Sequence, residues 1–225
     1  MRSKIYQEIK KKIDPAKIYS LDEAIDFIKE NKRKKFDETI ETHISLSLPS
    51  SVKSFFGRVA LPAGSCQKKK IVAFVTSKKA EEAKEAGADI VGGEELIEEI
   101  KTTGKTDFDE VVVEEEMMPK LVKIAKILGP KGLMPDPKKG TVTKEVALVI
   151  KKLREGQVFY RADKNNNLHL GLAKVSWNKE KIEVNIKAFL ESVKKSRPSS
   201  AKGDFIRQVS ICSSMGPGLK VALTD

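Results

Sequence analysis

The run IVAFV, at residues Ile71–Val75, is continuously apolar, as in a short strand that is buried on both faces of a sheet. Two further strand patterns follow it, at Ala88–Val91 and Phe108–Val113. Four helical patterns alternate with these strands. The first runs from after Ser77 through Ala86, the second and third are Glu94–Thr102 and Pro119–Leu128, and the last runs from after Thr143 through Arg154. Alternating strands and helices indicate a parallel sheet that is covered by helices. Residues 66–156 are therefore predicted to form a compact three-layer α/β domain.

The ends of these helices carry suitable capping residues. Ser77 and Thr143 each precede a helical pattern and can accept a hydrogen bond from an N–H group of the first turn. Pro119 suits a first turn, whereas Gly87 and Gly129 follow the last helical residues, where glycine is favoured. We therefore expect the helices to begin and end at these positions.

The segment before this domain has a different pattern. In Ile40–Leu48, Ile, Thr and Leu alternate with polar residues, which predicts a strand with one buried face. Ser20 and Glu23 form a capping box for a helix at Leu21–Asn31. Phe56–Leu61 is a second predicted strand. The first segment thus supplies one helix and two strands.

The last third of the chain predicts a hairpin, a helix and two closing strands. The strand patterns Gln157–Ala162 and Leu168–Val175 flank the polar sequence DKNNN, which is typical of a hairpin turn. Asn178 can cap a helix whose apolar stripe is Ile182, Ile186, Phe189, Leu190 and Val193. The closing strands are predicted at Phe205–Ile211 and Leu219–Leu223. Helices on one face of a mostly antiparallel sheet would make an α+β layer.

Neither outer segment is large enough to bury a good core by itself. Residues 1–65 and 157–225 are therefore predicted to fold together as one discontinuous α+β domain, into which residues 66–156 are inserted. Two connections, near Leu61–Cys66 and Arg154–Val158, would join the domains. Paired connections of this kind behave as a hinge, so we expect relative domain motion.

The net charge of +11 is concentrated in the outer segments. Residues 1–65 contribute +4 and residues 157–225 contribute +6, whereas residues 66–156 contribute only +1. This charge favours a negatively charged partner. No apolar run approaches the length of a membrane span, and the N-terminus lacks the apolar region of a secretory signal. We therefore expect a cytoplasmic protein with no membrane partner.

The sequence contains no motif of a known catalytic or cofactor site. GxxxxGK[ST] and GxGxxG are both absent, and GPKG at Gly129–Gly132 follows a helix rather than a strand. The two histidines, His43 and His169, and the two cysteines, Cys66 and Cys212, match no metal-binding or disulfide spacing. We therefore expect no enzyme activity, no cofactor and no metal site.

Two loops rich in glycine and proline favour a polyanionic partner. They are LGPKGLMPDPKKGTVT at Leu128–Thr143 and SSMGPG at Ser213–Gly218, and glycine lets a partner approach the backbone closely. The basic run Lys32–Lys35 also precedes Phe36. Hydroxyl groups, backbone amides and apolar side chains suit structured RNA, which is recognised mainly by shape. DNA remains an alternative, although no helix-turn-helix, zinc finger or basic zipper is present.

Four segments resemble signatures of the large-subunit ribosomal protein L-one family, bacterial type, the protein of the mobile ribosomal stalk. They are KKFDETIETH at Lys34–His43, LGPKGLMPDPKKGTV at Leu128–Val142, FYRADK at Phe159–Lys164 and SSMGPG at Ser213–Gly218. These segments occur in the family's order, and the resemblance covers nearly the whole chain. It implies a first domain built from both chain ends and an inserted Rossmann-like domain.

The resemblance also implies partners and a function. Family members bind a junction in large-subunit ribosomal RNA, and movement of the stalk helps deacylated tRNA to leave the exit site. Bacterial members commonly also repress translation of their own mRNA. The protein is expected to be a monomer off the ribosome. The alternative is a two-domain small-ligand or nucleotide-binding protein with an interdomain cleft, which the α/β insertion and the hinge would support.

The family's contact positions map onto individual residues of this chain. Phe36, Met215 and Gly216 are expected to pack through apolar groups and backbone, and Thr39 and Ser214 to contact RNA through hydroxyl groups. The remaining expected RNA-binding residues are Lys35, Arg161, Lys164, His169 and Lys174, and the cations among them would neutralise phosphates. The alternative for Phe36 and Met215 is an ordinary core position, because large apolar side chains are usually buried.

The chain departs from the family pattern at several positions. Ser45 stands where a lysine is common, and Ala173 replaces a glycine. Asn165–Asn167 replaces a glycine-containing turn, and Gly64–Lys70 differs from the usual glycine-lysine pattern at the hinge. These departures bear on RNA affinity and on autoregulation rather than on the fold.

Overall fold

The computed structural model of the protein describes residues 4–32, 36–49, 52, 54–67, 69–76, 79–137, 140–199, 201 and 203–222. The chain divides into two compact units. Unit 1 consists of Met1–Cys66 and Gly156–Asp225, and unit 2 consists of Gln67–Glu155. In the described part of the chain, no helix is long and apolar enough to cross a membrane.

The strands and α-helices are numbered in chain order. The strands are β1 (Thr39–Leu46), β2 (Phe56–Ala60), β3 (Ile71–Phe74), β4 (Ile90–Gly92), β5 (Glu110–Glu114), β6 (Val142–Thr143), β7 (Gln157–Arg161), β8 (Asn167–Lys174), β9 (Ile206–Ser213) and β10 (Leu219–Val221). The helices are α1 (Lys4–Lys11), α2 (Leu21–Glu30), α3 (Ala80–Glu85), α4 (Glu94–Thr103), α5 (Met118–Leu121), α6 (Ala125–Leu128), α7 (Val146–Arg154) and α8 (Lys179–Lys195).

Unit 1 contains an antiparallel four-stranded sheet in the order β10-β9-β1-β8. Strand β1 comes from the first part of the chain, and its two neighbours come from the last part. Ile40 faces Ala173 while Glu41 faces Gly171, so β8 carries a bulge at Leu172. The two outer segments of the sequence therefore share one sheet.

One face of this sheet is buried beneath helices α2 and α8. The predicted alternation in β1 is confirmed, because Ile40, Thr42, Ile44 and Leu46 are buried and the residues between them are partly exposed. The capping prediction for α2 is confirmed too, since the Ser20 hydroxyl accepts a hydrogen bond from the N–H of Glu23 at 3.2 Å. These features give the predicted α+β layer.

Helix α8 also buries a polar residue, Asn185, within the apolar stripe. The Asn185 Oδ1 atom accepts a hydrogen bond from the N–H of Ala63 at 3.0 Å. Its Nδ2 atom donates to the carbonyl groups of Gly64 at 3.1 Å and of Leu172 at 2.8 Å. The side chain therefore fastens the segment after β2 to the bulge in β8.

The predicted hairpin at residues 157–175 is wrong in its strand pairing. The turn does close, since the N–H of Asp163 donates to the carbonyl of Asn167 at 2.9 Å. However, β7 pairs with β2 in a separate two-stranded ribbon, whereas β8 pairs with β1. The strands diverge because each has a partner from the first segment of the chain, which local sequence patterns do not reveal.

Unit 2 contains a parallel sheet in the order β4-β3-β5-β6, covered by helices on both faces. Val72, Phe74, Val111 and Val113 belong to a core with α4, α5 and α6. Ile71, Ala73, Val75 and Val112 belong to a second core with α3 and α7. The predicted combination of α/β and α+β layers is thus confirmed, and each strand of the central pair contributes to both cores.

One predicted helix start differs from the structure, and another cannot be compared with it. Thr143 is the last residue of β6 rather than a helix cap, and α7 begins at Val146. The Thr143 hydroxyl nevertheless accepts a hydrogen bond from the N–H of Glu145 at 3.1 Å, which satisfies a donor just before the helix. Ser77, the other predicted cap, lies outside the described residues.

The helix predicted at Pro119–Leu128 is divided into α5 and α6 by a 3₁₀ turn at Val122–Ile124. Side chains three residues apart eclipse each other in a 3₁₀ turn. The tighter turn therefore keeps Leu121 and Ile124 on the same buried edge, where both are fully buried.

Candidate nucleic-acid interface

The second face of the sheet in unit 1 is polar, and we call it the open face. It consists of Thr39, Glu41, His43, Ser45, Asn167, His169, Gly171, Gln208, Ser210, Cys212 and Lys220. All of them except Thr39 are partly or fully exposed. One row across four strands runs Lys220, Ser210, His43, His169. The face therefore presents hydrogen-bonding groups and a cation on a rigid sheet.

At one end of the open face, three of the predicted site residues are hydrogen bonded to one another. Thr39 and Ser214 exchange two hydrogen bonds. The N–H of Ser214 donates to the Thr39 carbonyl at 3.0 Å, and the N–H of Thr39 donates to the Ser214 hydroxyl at 3.1 Å. Lys174 Nζ donates to the Thr39 hydroxyl at 2.9 Å. We call this group the latch.

Phe36 and Met215 lie next to the latch in sequence, and both side chains are 49% exposed. Large apolar side chains at that exposure contribute little to a core. The core alternative for these two residues is therefore wrong. An exposed phenyl ring and an exposed thioether beside polar groups are suited to packing against sugars or bases.

Gly216 lies in the turn that presents Met215, and little space is left for a side chain there. The N–H of Gly216 donates to the carbonyl of Ser213 at 2.9 Å. A Cβ atom on Gly216 would lie 2.5 Å from the Ser213 hydroxyl oxygen, which is closer than real side chains allow. Any side chain at this position would therefore require the Ser213 hydroxyl to rotate away.

Sequence reasoning missed a cationic groove beside this loop. The groove has a volume of about 230 Å³ and lies between the N-terminal helix and the loop at residues 217–218. Its lining includes Lys10, Lys17 and Lys220. Lys220 belongs to the open face as well, so the positive charge continues from the groove onto the sheet. The basic runs in the sequence do not reveal which lysines meet.

The remaining predicted cations lie at the other end of β1. Ser45 pairs with Asn167, and the N–H of Leu46 donates to the carbonyl of Asn166, so the turn at Asp163–Asn167 follows the end of the open face. Lys164 in this turn and Arg161 just before it are exposed. At about 3.3 Å per residue, the two ends of the face are roughly 20 Å apart. The structure thus separates the predicted cations into two groups.

The turn itself is held by Asp163. Its Oδ1 atom accepts hydrogen bonds from the N–H groups of Asn165 at 2.8 Å and Asn167 at 2.7 Å. The bond from Asn167 is the main cause of the lowered pKa of Asp163. Asn166 adopts a left-handed conformation with φ of 62°, which asparagine tolerates. Asn166 therefore supplies the left-handed residue that this turn contains.

The centre of the open face holds a group of titratable side chains. His43 and His169 approach at 2.7 Å between their Nδ1 atoms, and His43 Nε2 lies 3.1 Å from the Cys212 sulfur. Burial and the neighbouring His169 lower the pKa of His43, and Glu41 acts in the opposite direction. The sequence showed no Cys/His spacing because these residues meet across three strands.

Lys35 lies outside the described residues. The other nine predicted site residues fall into the latch with its loop, the centre of the face and the turn. Thr39 is 9% exposed and its hydroxyl already accepts from Lys174. The structure therefore gives Thr39 the role of holding its neighbours in place.

The carboxyl edge of the parallel sheet in unit 2 is where an α/β protein would bind a nucleotide. Here the buried Glu114 carboxylate accepts hydrogen bonds from the N–H and the hydroxyl of Thr76, each at 2.9 Å, and pairs with Lys79 at 2.6 Å. Burial raises the pKa of Glu114, but the bonds from Lys79 and Thr76 outweigh it and lower the pKa overall. A carboxylate occupies the donors that a phosphate would need.

Comparison with known proteins shows to which family the chain is similar. The profile of the Ribosomal protein L1p/L10e family matches residues 28–217. The chain is 44% identical over 221 residues to the large ribosomal subunit protein uL1 of Mycoplasma capricolum, covering 97% of both chains. It is also 44% identical over 221 residues to the protein of that name from Thermosipho africanus, covering 97% of this chain and 95% of the relative. The chain therefore belongs to the ribosomal protein L1p/L10e family, a family of structural, non-enzymatic proteins.

Proposed function

We propose that the protein is a structural constituent of the large ribosomal subunit, that it acts on the cytoplasmic ribosome, and that it binds large-subunit ribosomal RNA through the open face and its two ends. The observation that carries the proposal is the exposure of Phe36 and Met215 beside the hydrogen-bonded latch. The relatives named large ribosomal subunit protein uL1 support the assembly.

Each part of the surface has a separate task in this proposal. Phe36, Met215 and the backbone at Gly216 pack against the RNA, and the fixed hydrogen bonds of Thr39 and Ser214 hold them in position. The cations at both ends of the face neutralise phosphates roughly 20 Å apart. Residues 1–65 and 157–225 act together as the RNA-binding domain.

The proposed biological roles follow from family membership. The bound protein helps deacylated tRNA to leave the exit site of the ribosome. The same surface binds a similar structure in the protein's own mRNA and represses its translation. A competition experiment tests the repressor role. If the mRNA leader binds the same surface, it should displace a ribosomal RNA fragment from the protein completely, following a one-site competition curve.

The RNA surface is tested by measuring affinity for a large-subunit ribosomal RNA fragment with Met215→Asp. The acid places charge beside phosphates and removes an apolar contact, so we expect affinity to fall at least about tenfold. The thermal midpoint should change little, because Met215 is half exposed. Affinity of the unmodified protein should also fall steeply with salt, as phosphate contacts require.

The matched control is Val184→Asp. Val184 is 45% exposed on α8, the helix that covers the opposite face of the sheet. We expect this variant to bind RNA within about twofold of the unmodified protein, because surface changes away from an interface have small effects. Equal losses in the two variants, or unfolding of the Met215 variant, would contradict the proposed surface.

A further inference from the structure

The centre of the open face brings three metal-ligating side chains together. The ligand atoms of Glu41, His43 and Cys212 all lie within 4.8 Å of one another. His43 Nε2 is 3.1 Å from the Cys212 sulfur and 3.9 Å from a Glu41 carboxylate oxygen. Tetrahedral zinc with its usual bond lengths requires roughly 3.6 Å between sulfur and nitrogen and roughly 3.3 Å between nitrogen and oxygen. Small side-chain adjustments are enough to meet that geometry.

The surrounding hydrogen bonds leave the correct nitrogen of His43 available. His169 Nε2 lies 3.5 Å from the Asp163 carboxylate, which only accepts hydrogen bonds when ionised. The carboxylate beside Nε2 favours the tautomer of His169 that carries its proton on Nε2 and accepts at Nδ1. The Nδ1–H of His43 then donates to His169 Nδ1 at 2.7 Å, and the lone pair of His43 Nε2 faces Cys212. Zinc-bound histidines are oriented by outer hydrogen bonds of this kind.

We propose that Glu41, His43 and Cys212 form a site for one Zn²⁺ ion on the open face, oriented by His169 and Asp163. The imidazole and the thiolate select a borderline-soft ion over Mg²⁺ or Ca²⁺. Three protein ligands leave the fourth position to water, on the exposed side of the sheet.

Binding of Zn²⁺ releases one proton, from the thiol of Cys212. The Cys212 S–H bond breaks, the sulfur keeps the electron pair and bonds to Zn²⁺, and the proton passes to solvent. Before the ion binds, the S–H group lies 3.1 Å from His43 Nε2.

The site is tested by titrating the full chain with Co²⁺, whose bond to a thiolate gives a near-ultraviolet charge-transfer band. We expect one equivalent to produce the band in the unmodified protein and in Cys66→Ser, which removes the only other cysteine. Cys212→Ser should abolish the band, and His43→Ala should weaken Co²⁺ binding at least about 100-fold. His169→Asn should weaken Zn²⁺ binding about 10- to 100-fold, measured against a chromophoric chelator.

A second measurement needs no variant. Zn²⁺ should protect Cys212 but not Cys66 of the unmodified protein from alkylation, as followed by mass spectrometry. The proposal is overturned if Co²⁺ gives no thiolate band, if the band survives Cys212→Ser or disappears with Cys66→Ser, or if Zn²⁺ leaves Cys212 fully reactive.

Discussion

The two four-stranded sheets differ in how many of their faces are covered. Every residue of β3 in unit 2 is buried, because helices cover both faces of that sheet. In β1 of unit 1, buried residues alternate with partly exposed ones from Ile40 onward. The side chains of the covered sheet pack in the core and stabilise the fold. The sheet with an open face also presents side chains that are accessible to a binding partner.

Similar substitutions in the two sheets should therefore have different effects, one on stability and the other on binding. A change in the covered sheet leaves a cavity, whose cost appears in the free energy of unfolding. A change on the open face removes a contact to solvent or to a partner, so its cost appears in binding. The following predictions test this division with pairs of chemically matched variants.

The largest expected effect compares Phe74→Ala with Phe36→Ala. Phe74 in β3 is fully buried, so its truncation should lower the free energy of unfolding of unit 2 by about 3–5 kcal/mol. Phe36 is 49% exposed, so its truncation should leave stability nearly unchanged and weaken RNA binding. Hydrogen exchange with mass spectrometry measures the stability of each unit, and RNA titration measures the affinity. A stability loss of similar size in both variants would contradict the proposed difference between the covered sheet and the open face.

A middle-sized effect is expected for Glu114→Gln. The carboxylate is buried and accepts two hydrogen bonds from Thr76, so the variant should cost unit 2 about 2 kcal/mol at neutral pH. The pKa of Glu114 is lowered in the folded protein, so its stabilising effect is fully present above the ordinary value of 4.5. It is lost as the pH falls through the folded pKa. Denaturation of both proteins across this range should therefore show curves that converge in acid.

Gln at position 114 keeps the shape of the side chain, so convergence in acid isolates the charge. A difference between the two proteins that stays constant from pH 7 to well below pH 4 would show that packing, and not ionisation, stabilises this edge of the sheet.

The smallest effect is expected for Thr42→Val. Thr42 is fully buried, and among the described residues its hydroxyl has no hydrogen-bond partner. Replacing the hydroxyl by a methyl group should therefore raise the stability of unit 1 by about 1 kcal/mol. Fluorescence of the single tryptophan, Trp177, follows denaturant unfolding of this unit.

Thr39→Val provides the comparison on the same strand. The Thr39 hydroxyl accepts from Lys174, so this variant should release the lysine and weaken RNA binding without a gain in stability. If Thr42→Val weakened RNA binding as strongly as Thr39→Val, the two faces of β1 would not have separate roles.

Local sequence periodicity was enough to predict most elements of the fold. The alternation in Ile40–Leu48 and the apolar run Ile71–Val75 distinguish a half-covered strand from a fully covered one. Pairing was harder, because β7 and β8 are neighbours in sequence but join different sheets. Turn residues in the sequence indicate that the chain reverses direction. They do not indicate with which distant strand each flanking strand will pair.

The candidate site was predictable only where motifs mark it. The sequence indicated Phe36, Met215 and Gly216 through the family signatures. It did not indicate that Cys212 meets His43, because 169 residues separate them in the chain. Nor did it indicate that Asn185, in the middle of an apolar helical stripe, holds two distant backbone segments. Contacts of this kind depend on tertiary structure rather than on local pattern.

The position of β1 between β8 and β9 has a consequence for biosynthesis. Thr39 pairs with Lys174, and Ile40 pairs with Ser213, so both partners of this strand are translated long after it. Every residue of unit 2 leaves the translating ribosome before the sheet of unit 1 can close. Pairing over such sequence distances is slow, because long loops must be ordered first. The nascent chain therefore completes the open face last, and a chain that terminates before residue 206 never completes it.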